Sequence, residues 1–260
     1  MDKTLKFFYI NSTMAFVGGF ILTTIFHEFG HFVSYYFFGA DPVMYHNYVQ
    51  ASAEGLSESA LIISALAGPF FSLAQGIIFG IIKIRRRSND VLDLLFLWLS
   101  LLGFVNFFGY LMMTPLTTAG DTGKAAELLG LSYSIRIFIA LLGLGTIIFI
   151  VLKIGRRFAD FIPDTIESSA RSKYVNSLIL FPIITGSLIN VLLAFPVQVL
   201  LSIIYPATSA YVIMSAYGAI LKEKNGIKQK STAGERISLK LAVIGMTAII
   251  FNRLLTQGWG

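Results

Sequence analysis

The residues in this chain best suited to chemistry are His27, Glu28 and His31, in the run His27-Glu28-Phe29-Gly30-His31. In an α-helix this HExxH spacing puts both imidazoles on one face, about one turn apart, where they can bind one zinc ion. The glutamate between them is placed to take a proton from a metal-activated water molecule. The spacing therefore predicts a hydrolytic zinc centre with Glu28 as general base.

The motif lies inside an apolar run, Met14–Phe38, that is long enough to cross a bilayer. Titratable groups in such a segment are costly in hydrocarbon and are functional by default. The alternative is that the two histidines are buried and only satisfy their own hydrogen bonds. Because that alternative must also explain an ionisable glutamate at the same depth, we favour the metal centre.

The composition is that of an integral membrane protein. Hydrophobic residues make up 55% of the chain, charged residues 13%, and the mean hydropathy is +0.75, whereas a soluble domain carries about a quarter charged residues. With no cysteine, any metal must be held by His, Asp or Glu. The net charge of +6 is concentrated in basic clusters, at 83–87, 153–157 and 222–240. These clusters indicate cytoplasmic loops that face anionic lipid headgroups, and we expect no nucleic-acid partner.

The apolar segments predict an all-α, polytopic bundle of six or seven transmembrane helices. They are Met14–Phe38, Ala60–Ile82, about 94–113, about 135–152, Val175–Leu221 and Leu241–Phe251. Val175–Leu221 is too long for one helix, so we expect two crossings with a turn near Pro196 or near Tyr205-Pro206. Leu241–Phe251 either spans the membrane or lies in its interface.

Three shorter segments have their own signatures. Ala40–Ser59 is polar and contains no Lys or Arg, which favours a loop or a short β-like element beside the membrane domain. Gly76 and Gly80 form a GxxxG that is typical of close helix packing. Ser231–Glu235 has the composition of a solvated, flexible stretch.

Catalytic zinc usually has three protein ligands and one open position, so a third ligand is required. The candidates by position are His46, Glu54, Glu58, Asp93 and Asp121. Asp121 is the best of these, because glycines on both sides let the backbone approach a ligand closely and Pro115 ends the preceding helix. The alternative is that Asp121 only caps the helix that follows, Lys124–Leu129.

The order of these motifs resembles the site-2 protease family of intramembrane zinc metalloproteases. The resemblance rests on HEFGH in the first span, Ala67-Gly68-Pro69 in the second, and Pro115 followed by Asp121 after the third. It covers a three-helix core, about 14–129. It implies that His27, His31 and Asp121 bind zinc and that Glu28 is the general base.

The chain departs from that family at two places. Thr122 separates Asp121 from the next glycine, where the family has Asp followed directly by Gly. The family also has an Asn shortly before the proline, which helps to hold substrate or oxyanion, whereas the nearest here is Asn106. Asn106 is thus a candidate substrate or oxyanion residue. We divide the chain into a metalloprotease core, 1–130, and additional transmembrane helices with a basic loop at 222–240, in 131–260.

The expected function is zinc-dependent cleavage of a peptide bond within or beside the bilayer of the cell membrane. The partners would be a transmembrane or membrane-anchored protein substrate and the lipid. Ala40–Ser59 would receive the extended peptide by strand addition. Thr23, one turn before His27, would orient that imidazole, unless it bonds its own backbone.

Charge counting and the family resemblance disagree about the side on which the site opens. The Lys and Arg bias puts the loops beside HExxH and Asp121 outside the cell, and we favour that side. The resemblance implies a site that opens to the cytosol. Two other classes remain as alternatives: a membrane transporter with a metal-binding site, and an inactive relative that binds membrane proteins. The chain shows no internal repeat of the transporter kind, and its intact Glu28 argues against the second.

Overall fold

The computed structural model describes residues 2–86, 88–163, 165–197, 201–223 and 231–260. Within these ranges the chain is almost entirely helical, with one two-stranded hairpin, β1 (Val43–Met44) and β2 (Val49–Gln50). The helices are α1 (Lys3–Phe37), α2 (Glu58–Arg85), α3 (Val91–Met113), α4 (Asp121–Leu128), α5 (Tyr133–Gly155), α6 (Ser168–Val175), α7 (Phe181–Leu193), α8 (Leu201–Met214), α9 (Tyr217–Lys222) and α10 (Leu239–Leu254).

Seven helical segments in the described part of the chain are long and apolar enough to cross a membrane, which confirms the predicted fold class. Four of them are α1, α2, α3 and α5 extended to Phe161. The other three are Ser169–Leu193, Ile203–Lys222 and Leu239–Gln257. The last apolar segment is therefore long enough to span. Large apolar side chains on α5 are exposed, as expected of a helix that faces lipid; they include Phe138, Leu141, Leu142 and Phe149.

The first helix begins earlier than its apolar run predicts. Asp2 caps α1 by accepting from the Thr4 backbone N–H. Asn11 and Ser12, two polar side chains in the first half of α1, are buried with partners. Asn11 donates to the carbonyl oxygens of Ala233 at 2.7 Å and Arg236 at 2.8 Å, and Ser12 donates to that of Leu178 at 2.6 Å. The expectation of a solvated stretch at 231–235 is thus wrong for Ser231, Ala233 and Gly234, which are buried.

The break in the long charge-free segment lies near Pro196 rather than near Pro206. α7 ends at Leu193, and Pro196 follows it at the C-terminal side of the helix. Pro206 lies inside α8. Residues 198–200 lie outside the described part of the chain.

Close packing of α1, α2 and α3 forms the centre of the bundle. A Cβ atom on Gly103 of α3 would lie 2.6 Å from the Ser72 carbonyl oxygen of α2, and one on Gly76 would lie 3.0 Å from the Phe104 ring. The GxxxG prediction of close packing is therefore confirmed. Trp98 donates from Nε1 to the Ser12 hydroxyl at 2.9 Å, which fastens α3 to α1.

The later helices pack around this centre, with α5 against α3 and with α7 and α10 against α1. Buried core residues come from both sides of residue 130, from Phe8 in α1 to Ala248 in α10. The predicted division of the chain falls between α4 and α5.

Two ends of the bundle can be distinguished. The site end carries the hairpin, α4, the end of α7 and the C-terminal residues, because Met44 pairs with Trp259 and the His46 ring contacts the Ala194 carbonyl. The basic end carries the start of α1, the loop before α3 and the turn at 232–234. There Asn89 donates to the Asp160 carbonyl and accepts, through its own carbonyl, from Ser231.

Candidate metal centre

Three side chains converge at the site end of α1. The Nε2 atoms of His27 and His31 lie 3.2 Å apart, and Asp121 Oδ2 lies 2.9 Å from the first and 3.3 Å from the second. Within the described part of the chain they form a group of ligand atoms that can hold one metal ion. The fold thus brings the start of α4 against α1, although His27 and Asp121 are 94 residues apart in the sequence.

Hydrogen bonds at the far side of each ring orient both histidines. His31 Nδ1 lies 2.7 Å from the Ser64 carbonyl oxygen, which can only accept, so this nitrogen carries the proton. The Ser72 hydroxyl donates to the Gly68 carbonyl at 3.3 Å and lies 3.2 Å from His27 Nδ1, which can donate to it. The Nε2 atoms therefore face Asp121 and each other, where each can carry a proton or bind a metal ion. Without a proton or a metal ion between them, the two nitrogens and the carboxylate would repel one another.

The second helix passes the imidazoles at Gly68 with no room for a side chain. A Cβ on Gly68 would overlap Nε2 of His31 and would lie 2.8 Å from Nε2 of His27. On the other helix, a Cβ on Gly30 would lie 2.8 Å from the Ala67 carbonyl oxygen. The glycines of HEFGH and of Ala67-Gly68-Pro69 thus set the distance between α1 and α2 at the metal centre.

The start of α4 fixes Asp121 in place. Gly120 holds the N-cap position and Asp121 is the first residue of the helix, so the alternative role of Asp121 as N-cap is wrong. Thr122, which departs from the family pattern, donates to the Tyr110 carbonyl at 2.6 Å and pairs with Thr114 at 2.9 Å. Gly123 packs so closely on the Thr117 carbonyl that a Cβ would overlap it.

Asp121 is partly buried beside both imidazoles. Burial raises the pKa of its carboxyl group, but the adjacent His31 and His27 lower it more, and the resulting pKa is well below the usual value. The group is therefore a carboxylate, the form that binds a metal.

Tyr110 of α3 completes the surroundings of the metal centre and was not predicted from the sequence. Its ring stacks on His27 with centroids 4.8 Å apart and an interplanar angle of 14°, and its hydroxyl interacts with Asp121. Ser64 and Ser72 were missed as well. Ser72 has a weak signal in the sequence, a hydroxyl side chain one turn after Gly68. Ser64 has none, because it contacts His31 through its backbone carbonyl, which any residue supplies.

A cavity of about 270 Å³ opens beside the metal centre, and both Glu28 and Asn106 line it. Glu28 is 7% exposed and shares this surface with His27 and His31. Asn106 is 4% exposed, and its Oδ1 has no hydrogen-bond partner within the described residues. A role for Asn106 toward substrate stays a prediction.

The other candidate ligands lie elsewhere. Asp93 is buried in the first turn of α3, where Arg86 donates to it at 2.8 Å and Ser88 at 2.5 Å. Glu54 and Glu58 are exposed. His46 lines the cavity, but its Nε2 lies 3.0 Å from the Ala194 carbonyl oxygen.

Thr23 does not orient His27. Its hydroxyl donates to the Gly19 carbonyl at 2.8 Å and accepts from Gln75 at 2.7 Å. The residue at this position of α1 therefore bonds its own backbone, as the alternative held, and Ser72 of the neighbouring helix contacts the imidazole instead.

Comparison with protein-family models, with curated proteins and with solved structures finds no match to this chain. The chemistry of the site must therefore be inferred from its residues and their geometry.

Proposed function

We propose that this protein is an intramembrane zinc endopeptidase of the cell membrane, which cleaves membrane-embedded or membrane-proximal protein substrates. The observation that carries the proposal is the convergence of His27, His31 and Asp121, with a glutamate one residue along the helix on the wall of the same cavity. Two imidazoles and one carboxylate are a ligand set typical of catalytic zinc, which keeps a further position open.

Each residue around the metal position has its own role in the proposed hydrolysis. When bound, zinc supplies Lewis acidity toward a carbonyl oxygen and a water molecule. Glu28 takes the proton from the attacking water and delivers it to the nitrogen of the departing amine. The Ser64 carbonyl and the Ser72 hydroxyl accept from Nδ1 of His31 and His27, which leaves Nε2 of each ring facing the metal position. Tyr110 holds the His27 ring by stacking and Asp121 through its hydroxyl.

The substrate must enter this cavity as an extended chain, since the carbonyl groups of a transmembrane helix are engaged in its own hydrogen bonds. The hairpin offers an edge for such a chain, because Asn47, Tyr48 and Val49 line the cavity. The outer edge of β1 is already paired, since Met44 and Trp259 exchange backbone hydrogen bonds at 2.7 and 2.9 Å. The edge that receives the peptide is therefore that of β2.

Two independent features support this assignment. The site lies among helices that are apolar enough to cross a membrane, and its motifs follow the order found in site-2 proteases. Asn106, on the cavity wall, is the candidate for holding substrate or oxyanion.

The proposal is tested by comparing E28Q with the wild type on a model transmembrane substrate in detergent or proteoliposomes. We expect E28Q to lose cleavage by at least about a hundredfold, in the range found for a general base, while its zinc content is unchanged. Glu127 provides the matched control, because it lies exposed on α4 close to the site in sequence, and E127Q should cleave normally. Full activity of E28Q would overturn the proposal, as would zinc uptake into vesicles without any proteolysis.

A further inference from the structure

Buried polar atoms without partners are concentrated on the wall of the cavity beside the metal centre. Nine buried side-chain nitrogen or oxygen atoms in the described residues have no hydrogen-bond partner. Five of them belong to residues that line this cavity: Nδ1 of His46, Oδ1 of Asn47, Oδ1 of Asn106, and both Nδ2 and Oδ1 of Asn190. Such atoms are rare in folded proteins and call for a partner, because an unmet hydrogen bond is costly in a buried environment.

Asn190 differs from the other three residues because its whole carboxamide is without a partner. It is 3% exposed and lies on α7 in a segment apolar enough to span the membrane. A polar carboxamide buried in a membrane-spanning segment has a high free-energy cost, so it is expected there only where it has a function. Asn190 also belongs to the later helices, outside the part of the chain that carries the metal ligands.

Hydrogen bonds between the end of α7 and the hairpin fix the position of Asn190 relative to the hairpin. The carbonyl oxygen of Ala194, one turn after Asn190 on the same helix, accepts from His46 Nε2 at 3.0 Å and from Asn47 Nδ2 at 3.2 Å. The end of α7 and the tip of the hairpin are thus fastened together at one atom. Arg253 of α10 secures the same corner by donating to the Phe195 carbonyl at 2.6 Å.

We propose that Asn190 is a substrate-binding residue whose carboxamide pairs with a backbone peptide group of the extended substrate. The inference rests on the proposed function and adds to it a binding residue from outside the metal-binding helices. The amide of Asn190 can donate to a peptide carbonyl and accept from a peptide N–H at once. It therefore replaces hydrogen bonds that a transmembrane segment loses when it unwinds.

The other unpartnered atoms fit the same ligand. Those of His46, Asn47 and Asn106 are acceptors, because His46 donates from Nε2 and so presents an unprotonated Nδ1. An extended peptide carries an N–H at every residue except proline, so this wall matches a backbone better than it matches an acidic or aliphatic side chain. Recognition through backbone groups selects unwound segments and tolerates different sequences.

Cross-linking tests the contact directly, since the chain contains no cysteine. N190C in an E28Q background should form a disulfide with single cysteines placed along the scissile region of a model substrate. Ser187 is the matched control: it lies one turn earlier on α7 and its buried hydroxyl is also unpartnered, but it does not line the cavity. S187C should give no cross-link. A cross-link from S187C and none from N190C would overturn the inference.

Kinetics give a second readout. N190L should raise KM for the substrate about tenfold, as expected for one or two lost hydrogen bonds to a buried partner, with kcat and zinc content nearly unchanged. S187A should leave KM within about twofold, since it removes no predicted substrate contact. An unchanged KM in N190L, in a protein that cleaves and binds zinc normally, would contradict the inference and leave the proposed function intact. A wild-type protein that cleaves no substrate would refute both.

Discussion

Gly68 lies so close to His31 that any side chain at position 68 would overlap Nε2 of that imidazole. The contact is a consequence of tight α1–α2 packing, in which Gly30 approaches the Ala67 carbonyl from the other helix. It means that the geometry of the metal centre depends on a residue that itself binds nothing.

From this contact we predict that G68A loses zinc. The added methyl group must displace His31 or separate the helices, and we expect the affinity for zinc to fall at least tenfold, as when the support of a ligand is removed. The measurement is zinc content after dialysis against a graded chelator. G109A is the control, because a Cβ on Gly109 of α3 would meet nothing within 4 Å. Zinc binding by G68A equal to that of G109A would refute the packing argument.

Ser72 gives a second prediction about the same imidazole. Without its hydroxyl, His27 Nδ1 has no acceptor and the ring is free to turn or to change tautomer. We expect S72A to bind zinc about 10 to 100 times more weakly than the wild type, the usual effect of removing a partner of a metal-bound histidine. S100A is the comparison, since that hydroxyl donates to the Gly76 carbonyl away from the metal centre; equal losses in the two variants would mean a general packing effect.

His46 makes the contact between the hairpin and the end of α7, at the Ala194 carbonyl, dependent on pH. Burial lowers its pKa below 6.5, and Arg253 lowers it further, although the bond to Ala194 raises it. Because the pKa of His46 is lower in the folded than in the unfolded protein, folding favours the neutral imidazole. The stability that His46 contributes is therefore fully present above its unfolded pKa, and it is lost as the pH falls from that value toward the folded pKa. We expect the thermal unfolding temperature of the wild type to fall between about pH 7.5 and pH 5.5 more than that of H46Q. Parallel changes in the two proteins would contradict this.

The distribution of charge between the two ends of the bundle predicts the membrane orientation. Among the described residues the site end carries only three basic side chains, Lys124, Arg136 and Arg253, and the others lie toward the basic end. By the positive-inside rule we predict that the candidate metal centre faces the outside of the cell.

Cysteine labelling of intact cells checks this orientation. Ser52 is exposed beside the hairpin and Ser169 is exposed at the start of α6, at the other end. We expect an impermeant maleimide to label S52C and to spare S169C until the membrane is opened. Labelling of S169C alone would place the site toward the cytosol, as the family resemblance implies.

Much of this architecture could be predicted from the sequence. The apolar lengths predicted six or seven spans, of which the described residues contain seven. The polarity of Ala40–Ser59 favoured a loop or a short β-like element, and the structure has the hairpin there. The start of α1 at Lys3 was not foreseen, because Asn11 and Ser12 are polar and only tertiary partners such as Ala233 and Leu178 make them tolerable in a buried helix.

At the site, too, the residues that depend on tertiary partners could not be predicted from the sequence. HExxH indicated His27 and His31 as candidate ligands. Local backbone chemistry made Asp121 the best third candidate, and the family resemblance favoured it over a capping role. The partners Ser64, Ser72 and Tyr110 could not be inferred, because they depend on the register between neighbouring helices rather than on spacing within one. From the sequence alone, Thr23 was the nearest candidate to orient His27. The position of α2 shows that Ser72 contacts this imidazole instead. Asn190 required knowledge of which face α7 turns toward the cavity.

The most direct test of the central claim is zinc K-edge X-ray absorption of the purified wild-type protein and of D121A. We expect one zinc per wild-type chain, with two imidazole nitrogens at about 2.0–2.1 Å and carboxylate oxygen at about 2.0–2.2 Å. The oxygen contribution and most of the bound zinc should be lost in D121A. Absence of zinc from the wild type, or an unchanged spectrum and stoichiometry in D121A, would contradict the assignment of His27, His31 and Asp121 as one metal centre.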